Sequence, residues 1–132
     1  MTRDFCILLV EDEPLILMDL EYAAQQRGCD TLIASKPAIA SKLIEFCKDR
    51  IDAAVLDIDL GKGGNCFEVI AELKRHGIPF VLHSGSTAGN EHAIAEVGAP
   101  IFAKPAPIAS VIDAALACRL SEHEARDMQA AG

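Results

Sequence analysis

The chain has 132 residues, 51% of them hydrophobic, and a formal charge of −8 from 12 Lys and Arg against 20 Asp and Glu. That length suffices for one self-contained core, burying roughly 70% of the unfolded surface, so general disorder is excluded. The acidic balance disfavours a nucleic-acid-binding module, whose affinity comes from clustered Lys and Arg, and no run reaches the roughly 18 apolar residues of a membrane span.

Phe5 to Val10 (FCILLV) is an apolar run of strand length that stops at Glu11, Asp12 and Glu13, and Pro14 suits the first turn of a helix. That helix, to about Arg27, carries Leu15, Met18 and Tyr22 at helical spacing. Leu17, Leu20 and Ala24 widen the stripe that such a helix turns to its core, and Gly28 closes it. Cys29 to Ala34 reads as a second strand. Pro37 opens a second helix with Ile39, Leu43, Phe46 and Cys47 at i, i+4, i+7 and i+8. Ala53 to Asp57 (AAVLD) is a third strand ending in a carboxylate, followed by a glycine-rich loop from Gly61 to Gly64. The next helix has Cys66, Val69, Ile70 and Leu73 on one face and stops at Gly77. Phe80 to Ser84 is a fourth strand, Glu91 to Val97 a short helix, and Ile101 to Ala103 a fifth strand. Pro107 starts a last helix with Ile108, Val111, Ile112, Ala115 and Leu116 on one face, and residues 121–132 read as a polar tail.

Five strand-then-helix units, with strands that are unbroken apolar runs, predict an α/β fold with a doubly wound parallel sheet covered on both faces. The five cysteines (Cys6, Cys29, Cys47, Cys66, Cys118) form an odd set with no C-x-x-C pair. Each lies in or beside an apolar run, so they are expected as buried thiols rather than metal or redox groups. Met1 to Val10 offers no cleavable small-residue site, and a cytoplasmic protein is expected.

Ligands of doubly wound sheets bind beyond the carboxyl ends of the strands. The first strand delivers Glu11 and Asp12 there, the third Asp57, the fourth Ser84 and the fifth Lys104. Three carboxylates brought together repel one another unless a divalent cation compensates them, which points to a hard-oxygen Mg²⁺ site. Asp57, ending the central strand, is then the candidate nucleophile toward phosphorus, with Lys104 neutralising charge on the phosphoryl group and Ser84 donating a hydrogen bond to it. Singly, Asp12 also suits a helix cap, Lys104 a solvated side chain and Ser84 a structural hydroxyl. It is their joint occurrence at one sheet edge that selects the chemical reading.

These residues resemble the receiver domain of two-component response regulators over about Phe5 to Leu120, through ILLVEDEP (Ile7 to Pro14), AAVLDIDL (Ala53 to Leu60) and FAKP (Phe102 to Pro105). His76 to Ser86 is also similar to a stand-alone subfamily in which a Phe-Ala-Thr-Gly stretch follows the fourth strand. The resemblance implies a flavodoxin-like sheet of order 2-1-3-4-5, a receiver over residues 1–120, and no output domain. It implies Asp57 as the phosphoacceptor and Glu11, Asp12 and Asp57 as Mg²⁺ ligands, with Asp59 contributing a backbone carbonyl. Ser84 stands at the switch hydroxyl position and Lys104 at the family's lysine, whose bond to Pro105 is often cis. A sensor histidine kinase or histidine phosphotransfer protein would be the donor and a downstream protein the target, with neither nucleic acid nor membrane involved. The chain would be a phosphoacceptor with slow self-dephosphorylation rather than an enzyme with a diffusible substrate.

Three departures from the family pattern stand out. His83 replaces the subfamily's Ala, Ile101 occupies a switch position usually held by Tyr or Phe, and Gly61, Gly63 and Gly64 follow Asp57 where many receivers have a proline. Among other classes, a haloacid-dehalogenase-like phosphatase would use Asp57 as nucleophile and Asp59 as general acid, yet its D-x-D motif belongs on the first strand. A mononucleotide or flavin module needs a Gly/Ser/Thr-rich turn after the first strand, where EDEP would repel phosphate. A pseudo-receiver that binds without phosphorylation would not need the full residue set.

Overall fold

The computed structural model describes residues 4–58, 66–85 and 91–131, with backbone alone at 91–93 and 120–131. In chain order the elements are β1 (Cys6–Val10), α1 (Pro14–Gln26), β2 (Asp30–Ala34), α2 (Pro37–Cys47) and β3 (Ala53–Asp57). They continue with α3 (Cys66–Arg75), β4 (Phe80–Ser84), α4 (Glu91–Val97), β5 (Ile101–Ala103) and α5 (Ile108–Ala131). The strands pair in parallel in the order β2-β1-β3-β4-β5, as expected for the flavodoxin-like arrangement. The strand order reverses between β1 and β3, which puts a crevice between the chain segments that leave those two strands.

Alternation along the central strands divides the core in two. Ile7, Leu9, Val55 and Val81 meet Leu20 and Ala24 of α1 and Val111, Ile112 and Ala115 of α5 on one face. On the other, Leu8, Val10, Ala54, Leu56 and Leu82 meet Ala40 and Ile44 of α2, Val69, Ile70 and Leu73 of α3, and Ile94 of α4. Each fully buried Leu, Ile or Val contributes about 1.5–3 kcal/mol through removal of apolar surface from water. β1, β3 and β4 are buried at every position, because helices cover both of their faces. Gly28 and Gly77 end α1 and α3 at φ +75° and +67°, left-handed values that a Cβ would strain. At the opposite edge from the crevice, the Cys6 N–H donates to Asp52 Oδ2 at 2.8 Å, and Arg119 Nε donates to the Asp52 carbonyl at 2.7 Å. One aspartate thus ties the start of β1 to α5.

Apart from the end of α5, the expected element boundaries are met within about one residue, and the stripes of α3 and α5 face inward as expected. The stripes of α1 and α2 do so only in part. Leu15, Met18 and Tyr22 are 64–70% exposed, whereas Leu20 and Ala24 of the same expected stripe are buried, together with Ala23, and Leu17 packs against the core. On α2, Phe46 is 80% exposed and Ile39 also lies outward, whereas Pro37, Ala40 and Ile44 are buried. Both helices carry apolar residues on two sides, and the side with small residues is the one that approaches the sheet closely. The segment after residue 120, expected as a tail, continues α5 as helical backbone to Ala131. Cys6, Cys29 and Cys66 are buried and Cys47 and Cys118 partly so, with no disulfide among the described residues. No helix among the described residues is long and apolar enough to cross a membrane.

Candidate functional site

Beyond Val10 the Glu11 N–H still donates to the Ala34 carbonyl at 3.0 Å, which continues the β1–β2 pairing by one residue. That bond holds Glu11 at the sheet edge, fully buried. Its Oε2 accepts from the Glu13 N–H at 3.1 Å, fixing the turn into α1. Asp12 projects into solvent; α1 is entered through Glu13 and Pro14 with no side-chain cap, so Asp12 is not serving as the cap. Asp57, the last residue of β3, is as buried as Glu11. One oxygen each from Glu11, Asp12 and Asp57 lies within 4.8 Å of the others, so three sequence-predicted carboxylates do converge.

Lys104 reaches the same point from the far side of β4. Its N–H donates to the Ser84 carbonyl at 2.6 Å, extending the β4–β5 ladder past Ala103, and the Lys104–Pro105 bond is cis as expected. The ammonium stands 3.0 Å from Glu11 Oε1 and 3.2 Å from Asp57 Oδ2. Ser84 is buried at the end of β4, and its neighbour His83 pairs in register with Asp57 on one side and Phe102 on the other. The His83 carbonyl accepts from the Ile58 N–H at 3.1 Å, which pins the chain just after Asp57. Ile101, the candidate switch position, sits 41% exposed on the edge strand β5. Asp59, the loop from Gly61 to Gly64 and Ser86 lie outside the described residues.

With two buried carboxylates against one ammonium, the site is electrostatically unbalanced. Burial, then a hydrogen bond to Asp57 that needs a proton between the two carboxyls, pushes the Glu11 pKa up to about 8; the Glu13 N–H and Lys104 pull it back only in part. Desolvation works against the Lys104 ammonium, but the hydrogen bond to Glu11 and the charges of Asp57 and Glu11 outweigh it, so its pKa is raised. Hard oxygen donors, one of which retains a proton for want of positive charge, are the kind of set a divalent cation such as Mg²⁺ compensates.

A cavity of about 380 Å³ adjoins this cluster, lined by Ile16, His83, Lys104, Pro105, Ala106 and Ile108. Sequence reasoning did not anticipate it, because its walls come from α1, β4 and the β5–α5 connection, and nothing in the chain order shows that Ile16, His83 and Ile108 meet beside Lys104.

No protein-family model matches the chain, and no curated protein matches it as a relative. Solved structures do. The chain is similar to a response regulator receiver domain protein from Clostridium thermocellum, with 19% identity over 90% of this chain and 97% of that one, and a TM-score of 0.78. A response regulator receiver protein from Sinorhizobium medicae is 27% identical over 89% of this chain and 95% of its own, with a TM-score of 0.73. The receiver domain of a sensor histidine kinase from Pseudomonas aeruginosa, which has a magnesium ion coordinated in its active-site cleft, is 20% identical over 89% and 98%, with a TM-score of 0.73. The chain has the fold of a response regulator receiver domain.

Proposed function

We propose that the chain is the receiver of a response regulator in a two-component or phosphorelay system, taking a phosphoryl group onto Asp57. The observation that carries this reading is the convergence of Glu11, Asp12 and Asp57 within 4.8 Å, with the Lys104 ammonium 3.2 Å from Asp57 Oδ2. The receiver-domain neighbours support the signalling class, and the sensor histidine kinase neighbour with bound magnesium supports a kinase or phosphotransfer protein as donor.

Glu11, Asp12 and Asp57 would hold Mg²⁺, with the Asp59 carbonyl as a further ligand; when bound, the ion supplies charge neutralisation and a template for phosphoryl oxygens. An Asp57 oxygen attacks phosphorus in line. The N–P bond of the donor phosphohistidine breaks, and its electron pair stays with the imidazole, which takes a proton from solvent. Lys104 offsets negative charge on the transferred group, and the Ser84 hydroxyl donates to one of its oxygens. That new bond shifts the population of the β4–α4 region, with Ser84 and Ile101 as switch positions, and a partner protein in the cytoplasm reads the change.

Incubation with acetyl phosphate and Mg²⁺ followed by intact mass measurement tests the proposal. One added phosphoryl group in the wild type and none in Asp57→Asn are expected. Multiple turnover of an external phosphate ester would instead favour a phosphatase using Asp57 and Asp59.

A further inference from the structure

We propose that the cavity beside Lys104 is a leaving-group subsite, and that it makes the protein prefer small phosphodonors with a short apolar acyl chain over acetyl phosphate. This inference rests on the phosphoacceptor reading of Asp57 and names a substrate class for it.

One wall of the cavity is Lys104, whose ammonium also reaches Asp57 Oδ2. The other walls are Ile16, Pro105, Ala106 and Ile108, with the His83 imidazole at the end of β4. A volume of about 380 Å³ falls within the range of small-ligand pockets, roughly 300–1,000 Å³. Ile16 and Ile108 are only half-buried, so the cavity lies within reach of solvent. A ligand suited to this lining has an anionic head for the ammonium and a compact apolar body, which describes an acyl phosphate of a few carbons. A phosphoanhydride with a large polar leaving group, such as a nucleotide, would bury polar groups against isoleucine and proline without partners.

The transfer balances without further reactants. An Asp57 oxygen bonds to phosphorus while the bond from phosphorus to the acyl oxygen breaks. The electron pair leaves with the acyl group as a carboxylate, and no proton or electron is exchanged.

Butyrate and acetate are similar leaving groups, so a difference in rate between their acyl phosphates reports binding of the chain. Butyryl phosphate has two additional methylenes, each worth roughly fourfold when buried. Labelling of the full chain in Mg²⁺, followed by intact mass at sub-saturating donor, is therefore expected to run roughly five to fifteen times faster with butyryl than with acetyl phosphate. Ile16→Trp, which fills the cavity, should bring that ratio toward one, and Ala106→Leu is a second filling variant should the first not fold. In metal-free protein, butylphosphonate should shift the methyl resonances of Ile16 and Ile108 more than methylphosphonate does. Equal rates for the two donors, or a preference unmoved by both variants, would overturn the subsite. Failure of both donors to label Asp57 would overturn the phosphoacceptor reading instead.

Discussion

Raising the pH of the metal-free protein from 5.5 to 8 should destabilise it, and Glu11 is the cause. Its carboxyl is fully buried, hydrogen-bonded to Asp57, and its pKa stands at about 8 against an ordinary 4.5. An acid whose pKa is raised by folding binds its proton more tightly in the native state. Its contribution is fully present below pH 4.5 and is lost as the pH climbs through 8. Integrating the proton linkage over the window from pH 5.5 to 8 sets an upper bound of about 3 kcal/mol on the loss, because the proton is shared with Asp57 and the shift belongs to the pair. Lys104 adds nothing to this slope, since it is protonated in both states throughout the window. Urea unfolding in chelator at the two pH values measures the loss directly. Glu11→Gln should flatten the dependence, and Mg²⁺ at pH 8 should restore stability, because a bound cation replaces the proton. Wild-type stability that stays level or rises over the window, or a slope that survives in Glu11→Gln, would refute this account of the pocket.

Three further outcomes follow from particular contacts. Lys104→Ala removes the ammonium at 3.0 and 3.2 Å from the two carboxylates, so phosphorylation should fall about 10²–10³-fold while Mg²⁺ binds more tightly, measurable by mass-based labelling and by titration calorimetry. Asp52→Ala takes away the acceptor 2.8 Å from the Cys6 N–H and should cost about 1–3 kcal/mol in denaturant unfolding without altering labelling. Phe46→Ser should change stability by less than about 0.5 kcal/mol, whereas Ile44→Ala, two positions away on the same helix, should cost about 2–5 kcal/mol; the reverse ranking would mean that α2 is rotated.

The strands were legible because burial on both faces writes them as uninterrupted apolar runs, and β3 and β4 match their expected limits residue for residue. α3 was legible for a related reason: its polar side is plainly polar, so only one rotation suits it. The phases of α1 and α2 were legible only in part: large apolar residues occur on both sides, so the expected stripes mixed inward residues such as Leu20, Ala24 and Leu43 with outward ones such as Leu15, Tyr22 and Phe46. What decides is the close approach of Ala23, Ala24 and Ala40 to the sheet, which depends on facing residues that no single helix reveals. The converging acids and Lys104 could be read from strand ends alone, since a parallel sheet aligns its carboxyl ends. The raised proton affinity of Glu11 and the cavity between Ile16, His83 and Ile108 could not. Both arise from distances between segments far apart in the chain, set only when α1 and α5 close over one face.

The most direct test of the central claim is chemical trapping of the phosphorylated residue. After labelling with a phosphodonor and Mg²⁺, borohydride reduction converts a phosphorylated aspartate to homoserine, which peptide mass mapping locates. The account predicts homoserine at position 57 and nowhere else, with none formed when Mg²⁺ is chelated; modification at Asp12 or Asp59, or a phosphoryl group on Ser84 or His83, would contradict it.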